Sequence, residues 1–166
     1  VYKRQEQLPP LRRLYTRYES YRDATMEDIF AEELLEKSLI KEVYHLENSI
    51  LINKGAEGFE LIPLPVGAQM STMYASAITD FNEDGHVDIL LGGNFFYAKP
   101  EVGIYDASFG TLLLGDGKAG FEFVRNQEIN LKIKEQIRGM VLIPNGQHKE
   151  LVIARNNAAV LVYQYQ

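Results

Sequence analysis

The first forty residues carry apolar side chains at the spacing of a helix face. Five of them recur at three- and four-residue steps: Leu11, Leu14, Tyr15, Tyr18 and Tyr21. Such steps are typical of an amphipathic helix, and Thr25 followed by Asp28 suits a capping box that begins a second one. The pattern predicts two short helices, at 10–23 and 26–38, in a helical segment over residues 1–40 that packs on the rest of the chain.

From residue 40 onward, short apolar runs alternate with clusters of Gly, Asn and Asp. This alternation is typical of β-strands joined by tight turns. Nine strands are predicted: Ser49–Asn53, Gly58–Leu64, Ala75–Phe81, Asp88–Gly93, Thr111–Leu114, Gly120–Val124, Gly139–Ile143, Leu151–Ala154 and Val160–Tyr163. Lys41–Leu46 is a candidate tenth strand. The pattern therefore predicts a mainly β region over residues 41–166.

Part of the β region occurs twice in the sequence. The run Leu51–Glu60 is similar to Leu113–Glu122, which comes later in the chain. Two more pairs of segments align at the same offset: Ala77–Thr79 with Gly139–Val141, and Asp88–Asn94 with Glu150–Asn156. Each unit holds about four strands, the content of one blade of a β-propeller. The repeat therefore predicts propeller blades, with the long segment Phe95–Gly110 inserted after one strand.

The apolar positions of these strands predict the packed faces between neighbouring blades. Eight side chains are expected on or near those faces: Ile78, Ile89, Leu91, Leu113, Phe121, Val141, Val152 and Leu161. Truncating one of them, Leu91, to Ala is expected to cost roughly 2–5 kcal/mol.

The strongest local motif is a loop rich in oxygen ligands, which reads D-x-N-x-D-G-x-x-D from Asp80 to Asp88. Calcium takes six to eight oxygen ligands, and alternate residues of a tight loop can direct side chains to one centre. The predicted Ca²⁺ ligands are Asp80, Asn82, Asp84, the backbone carbonyl of His86, and Asp88. The alternative is a metal-free turn closed by Asp and Asn side chains.

An EF-hand does not fit this loop. Its twelfth position should be a bidentate Glu and is Leu91 here, and an apolar strand follows where a helix should begin. The second copy of the loop serves as an internal control. At the offset of the repeat, Leu142, Pro144, Gly146 and Glu150 replace the side-chain ligands, and only Glu150 is a carboxylate. One cation is therefore expected from loops of this type.

Residues 77–94, together with the G-D-G-K-A-G-F turn at Gly115–Phe121, resemble FG-GAP/VCBS repeats. These are the calcium-loop blades of integrin-α-like β-propellers and of large secreted bacterial proteins. The resemblance covers about residues 20–166. It implies a fragment of a β-propeller, Ca²⁺ on the loop ligands, and an extracellular, cell-surface or periplasmic location. It implies no reaction.

The resemblance also orders the strands into blades. Ala75–Phe81 to Gly120–Val124 would form one complete blade, residues 41–64 the later strands of the preceding blade, and residues 138–165 the first three strands of the next. A whole propeller has at least four blades. The chain, which has no initiator Met, is therefore expected to be a mature product or a piece of a longer protein. Its partners would be the remaining blades or another copy.

Composition narrows the possible functions. The 166 residues have a formal net charge of −6, which disfavours a nucleic-acid partner. No Cys is present, so disulfides and thiolate chemistry are excluded, and no apolar run reaches the roughly 20 residues of a membrane span. The three histidines lack zinc-site spacing, and no nucleophile motif or P-loop occurs. The chain is therefore expected to be no enzyme.

Five aromatic residues open and close the long insertion: Phe95, Phe96, Tyr97, Tyr105 and Phe109. They are predicted to bind a protein or glycan partner, because long ordered loops on a rigid scaffold often bind ligands. The alternative is a loop that buries its own aromatic rings. The expected function is a non-catalytic, calcium-binding module for extracellular binding or adhesion. The alternative is an accessory part of a carbohydrate-active enzyme or polysaccharide-uptake system, with Glu101 and Asp106 as the residues to test.

Overall fold

The structure, a computed structural model, describes residues 8–145 and 148–165. The chain divides into two compact units, with the boundary between Tyr44 and His45. Gly146, one of the aligned positions of the second loop copy, lies outside the described residues. The predicted packing of residues 1–40 on the β region stays a prediction.

The N-terminal unit contains four short helices rather than the two predicted. They are α1 (Leu11–Leu14), α2 (Tyr18–Arg22), α3 (Met26–Ile29) and α4 (Glu32–Glu36). The backbone leaves the helical region at Arg17 (φ −124°, ψ 149°) and again at Phe30 (φ −120°, ψ 141°), so each predicted helix is split in two. The apolar period continued through both breaks, which is why the sequence pattern did not reveal them. The predicted capping box is confirmed, because the Thr25 N–H donates to Asp28 at 2.8 Å.

The second unit is mainly β, as predicted. Its nine strands are β1 (Ser49–Asn53), β2 (Phe59–Pro63), β3 (Met73–Thr79), β4 (Asp88–Gly93), β5 (Thr111–Gly115), β6 (Phe121–Val124), β7 (Ile137–Asn145), β8 (His148–Arg155) and β9 (Leu161–Tyr165). All nine predicted strands are present; β1 and β4 have the predicted bounds, and the other seven differ at one or both ends. The candidate tenth, Lys41–Leu46, is not a strand.

The strands form three antiparallel sheets in chain order. The first sheet is β1-β2, the middle sheet β3-β4-β5-β6 and the third sheet β7-β8-β9. Within the described residues these sheets do not close into a ring. Among the helices that the structure describes, none is long and apolar enough to cross a membrane.

The middle sheet is packed on both faces. On one face Ile89 and Leu113 pack with Leu64 and Ala68, which lie just after the first sheet. On the other face its residues pack against the third sheet and the segment before it, in a cluster formed by Ala77, Leu90, Ile133, Ile137, Leu151 and Ile153. All six residues of β4 are consequently buried.

The predicted packed positions are confirmed in part. Ile89, Leu91 and Leu113 are buried, and Phe121 and Leu161 are partly buried against the two clusters. Ile78 and Val141 were wrong, because each side chain is 58% exposed. Ile78 is paired with buried Ile89, but it lies on β3, the outermost strand of the middle sheet. The packed cluster between the first and middle sheets does not extend to it. Val141 lies on the outer face of the third sheet, between its inward-facing neighbours Met140 and Leu142.

Candidate calcium loop and aromatic loop

The carboxylate loop connects β3 to β4, and three of its side chains gather around its own backbone amides. Asp80 Oδ1 and Asn82 Oδ1 both accept from the Asp84 N–H at 3.2 Å, and Asp80 Oδ2 accepts from the Gly85 N–H at 2.8 Å. Glu83 and Gly85 have positive φ angles of 62° and 88°, and this turn brings the amides round to the carboxylate. Asp80, Asn82 and Asp84 therefore lie together on one side of the loop.

Asp84 takes part in two further hydrogen bonds of the loop. Its Oδ1 accepts from the His86 N–H at 2.8 Å, and its Oδ2 accepts from the Asn82 side-chain amide at 2.9 Å. The Asn82 amide, followed by the His86 N–H, lowers the pKa of Asp84 from its usual value, because both donors stabilise the ionised form. Asp84 consequently carries a negative charge at neutral pH.

Asp88 differs from the other predicted ligands because it is fully buried, with 0% of its surface exposed. Its Oδ2 accepts from the Phe81 N–H at 2.8 Å, and its Oδ1 accepts from the Gly115 N–H at 2.9 Å. The side chain therefore ties the end of β3, the start of β4 and the end of β5 together. Gly115 suits this close approach, because a Cβ there would collide with the carbonyl oxygen of Val87.

His86 was predicted to contribute only its carbonyl. Its exposed imidazole lies beside the β5-β6 turn, where a Cβ on Gly117 would be 2.6 Å from His86 Nδ1. It also lines a cavity of about 520 Å³, whose apolar walls include Ile52, Val87 and Phe121. The loop and the gap between the first and middle sheets are thus neighbours.

The donor chemistry of the loop suits a hard cation, because every predicted ligand atom is an oxygen. The arrangement, however, is that of a loop closed by its own hydrogen bonds. Among the described residues, no three His, Cys, Asp or Glu side chains are grouped as a metal site would require. Each carboxylate oxygen has a second lone pair beyond the N–H bond that it accepts, so Asp80 and Asp84 keep acceptor capacity for an ion.

The strand registers do not keep the single offset at which the sequence aligns the carboxylate loop with the turn of the third sheet. Thr79 pairs with Asp88 in the middle sheet, and Ile143 pairs with Glu150 in the third. The loop between Ile143 and Glu150 is shorter than the loop between Thr79 and Asp88. Strands β3 and β7 therefore align at a larger sequence offset than strands β4 and β8. Glu150 accepts from the Asn145 side-chain amide at 2.7 Å. The expectation that this turn lacks a calcium ligand set stays a prediction.

The aromatic insertion between β4 and β5 is partly exposed. Phe95 and Tyr105 exchange two backbone hydrogen bonds, of 2.8 and 2.9 Å, which close the base of the loop. Phe95 and Phe96 are partly buried, whereas Tyr97, Tyr105 and Phe109 are exposed, Tyr97 by 64%. Phe95 and Phe96 therefore fit a loop that buries its own aromatic rings. Tyr97, Tyr105 and Phe109 are exposed, as a partner-binding surface requires.

A cavity of about 220 Å³ lies beside this loop. Its lining combines aromatic and charged side chains, namely Phe96, Asp106, Phe109, Lys134 and Glu135, with Asn94 and Ser108. The Lys134 ammonium is 5.7 Å from the centre of the Phe109 ring. Such a mixture of ring faces and polar groups suits a polar ligand that also presents an apolar surface.

A buried amide network beneath the insertion was missed by the sequence reasoning. Asn94 is almost fully buried and has a positive φ of 78°. Its Oδ1 accepts from the Ser71 hydroxyl and the Ser108 N–H, both at 3.0 Å. Its Nδ2 donates to the carbonyls of Ser108 at 2.8 Å and Glu135 at 3.0 Å. The Gly-Gly-Asn sequence at the end of β4 was the only available signal, and it does not reveal partners so distant in the chain.

Neither the family models, nor the curated proteins, nor the solved structures gave a match to this chain.

Proposed function

We propose that this chain is a non-catalytic binding module, built from consecutive β-propeller blades of the FG-GAP/VCBS kind and stabilised by calcium. It would act in an extracellular, cell-surface or periplasmic setting and bind a protein or glycan partner.

The observation that carries the proposal is the agreement in strand register. Asn53 pairs with Phe59 in the first sheet, and Gly115 pairs with Phe121 in the middle sheet, so both partners shift by the offset of the sequence repeat. The turns agree as well, because Lys54 N–H donates to Gly58 at 2.8 Å and Asp116 N–H donates to Gly120 at 3.0 Å. This agreement supports β1-β2 as the counterpart of β5-β6.

The middle and third sheets agree in a local irregularity. The β3-β4 register shifts between Met73 and Ala75, and the β7-β8 register shifts between Ile137 and Gly139. Bulges are specific features that bend a strand at a fixed point. Their equivalent positions support one four-stranded unit as the origin of both sheets.

The face by which the middle sheet packs on the third sheet has an uncovered counterpart in the third sheet. The row Ala77, Leu90 and Leu112 of the middle sheet packs against the third sheet. Its counterpart in the third sheet is Val141, Val152 and Val162, which are paired directly across three strands. Val141 and Val162 are exposed. The equivalence supports a further sheet, from remaining blades or another copy, as the natural cover of this row.

The proposed Ca²⁺ ligands are Asp80, Asn82, Asp84, the His86 carbonyl and Asp88. The ion would supply positive charge at a turn where carboxylates lie close together, and its effect would be structural. Asp80 and Asn82 both accept from the Asp84 N–H, and the Asn82 side-chain amide donates to the Asp84 carboxylate; this clustering supports this part of the proposal. No nucleophile or general base is required for such a role.

A thermal melt with Ca²⁺ and with chelator tests the calcium role. Binding to the folded state alone stabilises by about 2.7 kcal/mol at a hundredfold excess over the dissociation constant. Asp84→Ala should abolish the difference between the two melts. The matched control is Glu150→Ala, in the corresponding turn of the third sheet, which should leave the difference intact. Identical melts of the unmodified chain would reject calcium.

Partner binding is tested by a glycan array and by pull-down with extracellular proteins. Retention without turnover would support a binding module, and Tyr97→Ala should weaken it because Tyr97 is the most exposed ring of the predicted set. Leu61→Ala, on the outer face of the first sheet, is the control for a general loss of apolar surface. Turnover by this chain that Glu101→Gln or Asp106→Asn removes would favour the carbohydrate-active alternative.

A further inference from the structure

Strand β1 has one open edge. In an antiparallel pair, alternate residues bond to the partner strand and the residues between them point their N–H and C=O groups to the other side. The Leu64 N–H donates to Asn48 at 2.9 Å and the Lys54 N–H donates to Gly58, so the even-numbered residues of β1 bond to β2. Ser49, Leu51 and Asn53 therefore direct their backbone groups away from β2. Among the described strands, β1 pairs with β2 alone.

The corresponding edge of the middle sheet is occupied. In β5, Thr111 pairs with Leu91 and Leu113 pairs with Ile89. These two β5 residues are the register counterparts of Ser49 and Leu51. The strand that fills this position beside β5 is β4, and the first sheet has no strand in that place among the described residues.

An uncovered apolar side chain lies on the face of the middle sheet that packs against the first sheet. Ile78 is 58% exposed although its cross-strand partner Ile89 is only 7% exposed. Its counterpart in the third sheet, Leu142, packs against the neighbouring core. The packed interface between the first and middle sheets thus stops short of Ile78, where a third strand of the first sheet would continue it.

Two cavities adjoin the open edge. One, of about 230 Å³, is lined by Asn48 and Ser49 on one side and by Tyr74, Ser76 and Leu91 on the other. The other is the cavity of about 520 Å³ described above, to which β1 contributes Ile50 and Ile52. Both therefore lie between β1 and the face of the middle sheet, one toward each end of β1.

The composition of β1 also favours an added strand. Exposed edges usually carry charges or proline, which prevent further pairing. The sequence of β1, Ser-Ile-Leu-Ile-Asn, has neither, whereas its partner β2 contains Glu60 and Pro63. The β1 edge is thus the unprotected edge of the first sheet.

We infer that the open edge of β1 binds an extended segment of another polypeptide as an added antiparallel strand. The segment carries branched aliphatic residues at alternate positions, and one of them lies opposite Ile50 and covers the middle sheet beside Ile78. Leu90, which pairs with Leu112 on the equivalent face of the middle sheet, is the precedent for that residue. Backbone hydrogen bonds to Ser49, Leu51 and Asn53 supply affinity, and the apolar contacts select the sequence.

The inference rests on the proposed correspondence of β1-β2 with β5-β6, but it does not depend on calcium. The correspondence also provides the probe, a synthetic peptide with the sequence of residues 86–94, His-Val-Asp-Ile-Leu-Leu-Gly-Gly-Asn. This peptide contains β4, the strand that lies beside β5. Its control replaces the central Leu, the one that corresponds to Leu90, with Asp.

Amide NMR of the labelled chain during titration with the peptide tests the inference. Saturable shifts and slowed hydrogen exchange are expected at Ser49, Leu51 and Asn53, and no slowing is expected at Leu61. The Asp-substituted peptide should bind about tenfold more weakly or worse. Absence of saturable binding, or protection confined to another edge, overturns the inference. So does protection of the same amides that rises with protein concentration alone, because the occupant is then a second copy.

Two matched pairs of variants locate the site. Leu51→Pro removes an N–H that faces the open edge, and Leu61→Pro removes one from its cross-strand partner, which faces the opposite edge. Only Leu51→Pro should abolish peptide binding. If either proline variant fails to fold, the peptide affinities of Ile78→Ala and Val141→Ala test the site instead. These two variants are matched because both side chains are equally exposed. Only Ile78→Ala should weaken binding, and equal affinities for these two variants would contradict the inference.

The chelator melts separate the two proposals. If the calcium shift is present and the peptide does not bind, the inference about the edge fails and the calcium-stabilised module stands. If the peptide binds and chelator has no effect, the calcium role fails and the edge site stands.

Discussion

The guanidinium carbon of Arg138 lies 4.0 Å from the centre of the Tyr74 ring. Both residues occupy the register shift of their own sheet, Tyr74 in β3 and Arg138 in β7. Arg138 also donates from Nη1 to the Asn94 carbonyl at 3.1 Å and from Nη2 to Gln136 Oε1 at 3.0 Å. The two register shifts thus join the middle and third sheets through one cation–π contact and one hydrogen bond, the one to Asn94.

Arg138→Lys is expected to destabilise the β region by roughly 1–2 kcal/mol, because Lys keeps the charge but loses the planar stacking and the forked donor geometry. Urea denaturation at neutral pH measures the change. Tyr74→Phe preserves the ring face and should have little effect, whereas Tyr74→Leu should reproduce most of the Lys effect. If Arg138→Lys and Tyr74→Leu are fully additive in the double variant, the two side chains do not interact.

Leu91→Ala should cost roughly 2–5 kcal/mol, because it leaves a cavity in the packed face of β4. Leu91 is buried in the cluster between the first and middle sheets. Leu51→Ala makes the same chemical change at a side chain that is 61% exposed, and it should cost less than about 1 kcal/mol. Denaturant midpoints of the two variants give the comparison. Similar losses would mean that the faces of these strands are assigned incorrectly.

The turn between β5 and β6 should titrate in acid. The Lys118 N–H, followed by the Gly120 N–H, lowers the pKa of Asp116, whose Oδ1 accepts from them at 2.7 and 2.8 Å. Because the pKa of Asp116 is lower in the folded state than in the unfolded state, its ionised carboxylate stabilises the fold. This stabilisation is fully present above the unfolded pKa of about 3.9 and is lost as the pH falls through the folded pKa. Carboxyl-carbon NMR should therefore give a midpoint below about 3.9 for Asp116.

Asp116→Asn is the control for this titration. Its amide oxygen still accepts hydrogen bonds but has no charge to lose. The difference in stability between the unmodified chain and Asp116→Asn should therefore shrink as pH falls from 5 toward 2, by about the change that the lowered pKa predicts. A difference that grows in this interval would reverse the sign of the argument.

The outer face of the third sheet should associate at high protein concentration. Val141, Val152 and Val162 form an apolar row across three strands, and exposed apolar faces of this kind mark interfaces. Light scattering over a range of concentrations should show a rising mass, and Val162→Glu should suppress it. Val102→Glu changes an exposed Val in the aromatic insertion and should have no effect. A constant monomer mass would indicate that this face needs no cover.

The strands could be predicted from the sequence because their signal is local. Alternating side chains and the turns at Asn53–Gly58 and Asp116–Gly120 depend on neighbouring residues alone. Which face of a strand is covered depends on another sheet, so Ile78 and Val141 were placed on packed faces incorrectly. The helices α1 to α4 were merged for the opposite reason, since an apolar period says nothing about the extended backbone at Arg17 and Phe30.

In the candidate site too, the sequence predicted the residues whose signal is local and missed those whose contacts are distant in the chain. Asp80, Asn82 and Asp84 are close in sequence and were found from their spacing. Asp88 matched the same motif, yet its role in joining three strands depends on Gly115, 27 residues away. Asn94 and Arg138 were missed entirely, because their contacts connect segments that are far apart in the chain.

The closure of the β4-β5 insertion at its base has a consequence for engineering. Asn94 bonds twice to Ser108, and Phe95 bonds twice to Tyr105, so the two ends are fixed before the exposed part begins. The entropy of closing a loop grows slowly with its length. Foreign peptides of different lengths in place of residues 98–103 are therefore expected to leave these four bonds in place. The chain offers a display scaffold without cysteine, in which the Asn94–Ser108 and Phe95–Tyr105 bonds lie outside the exchanged segment.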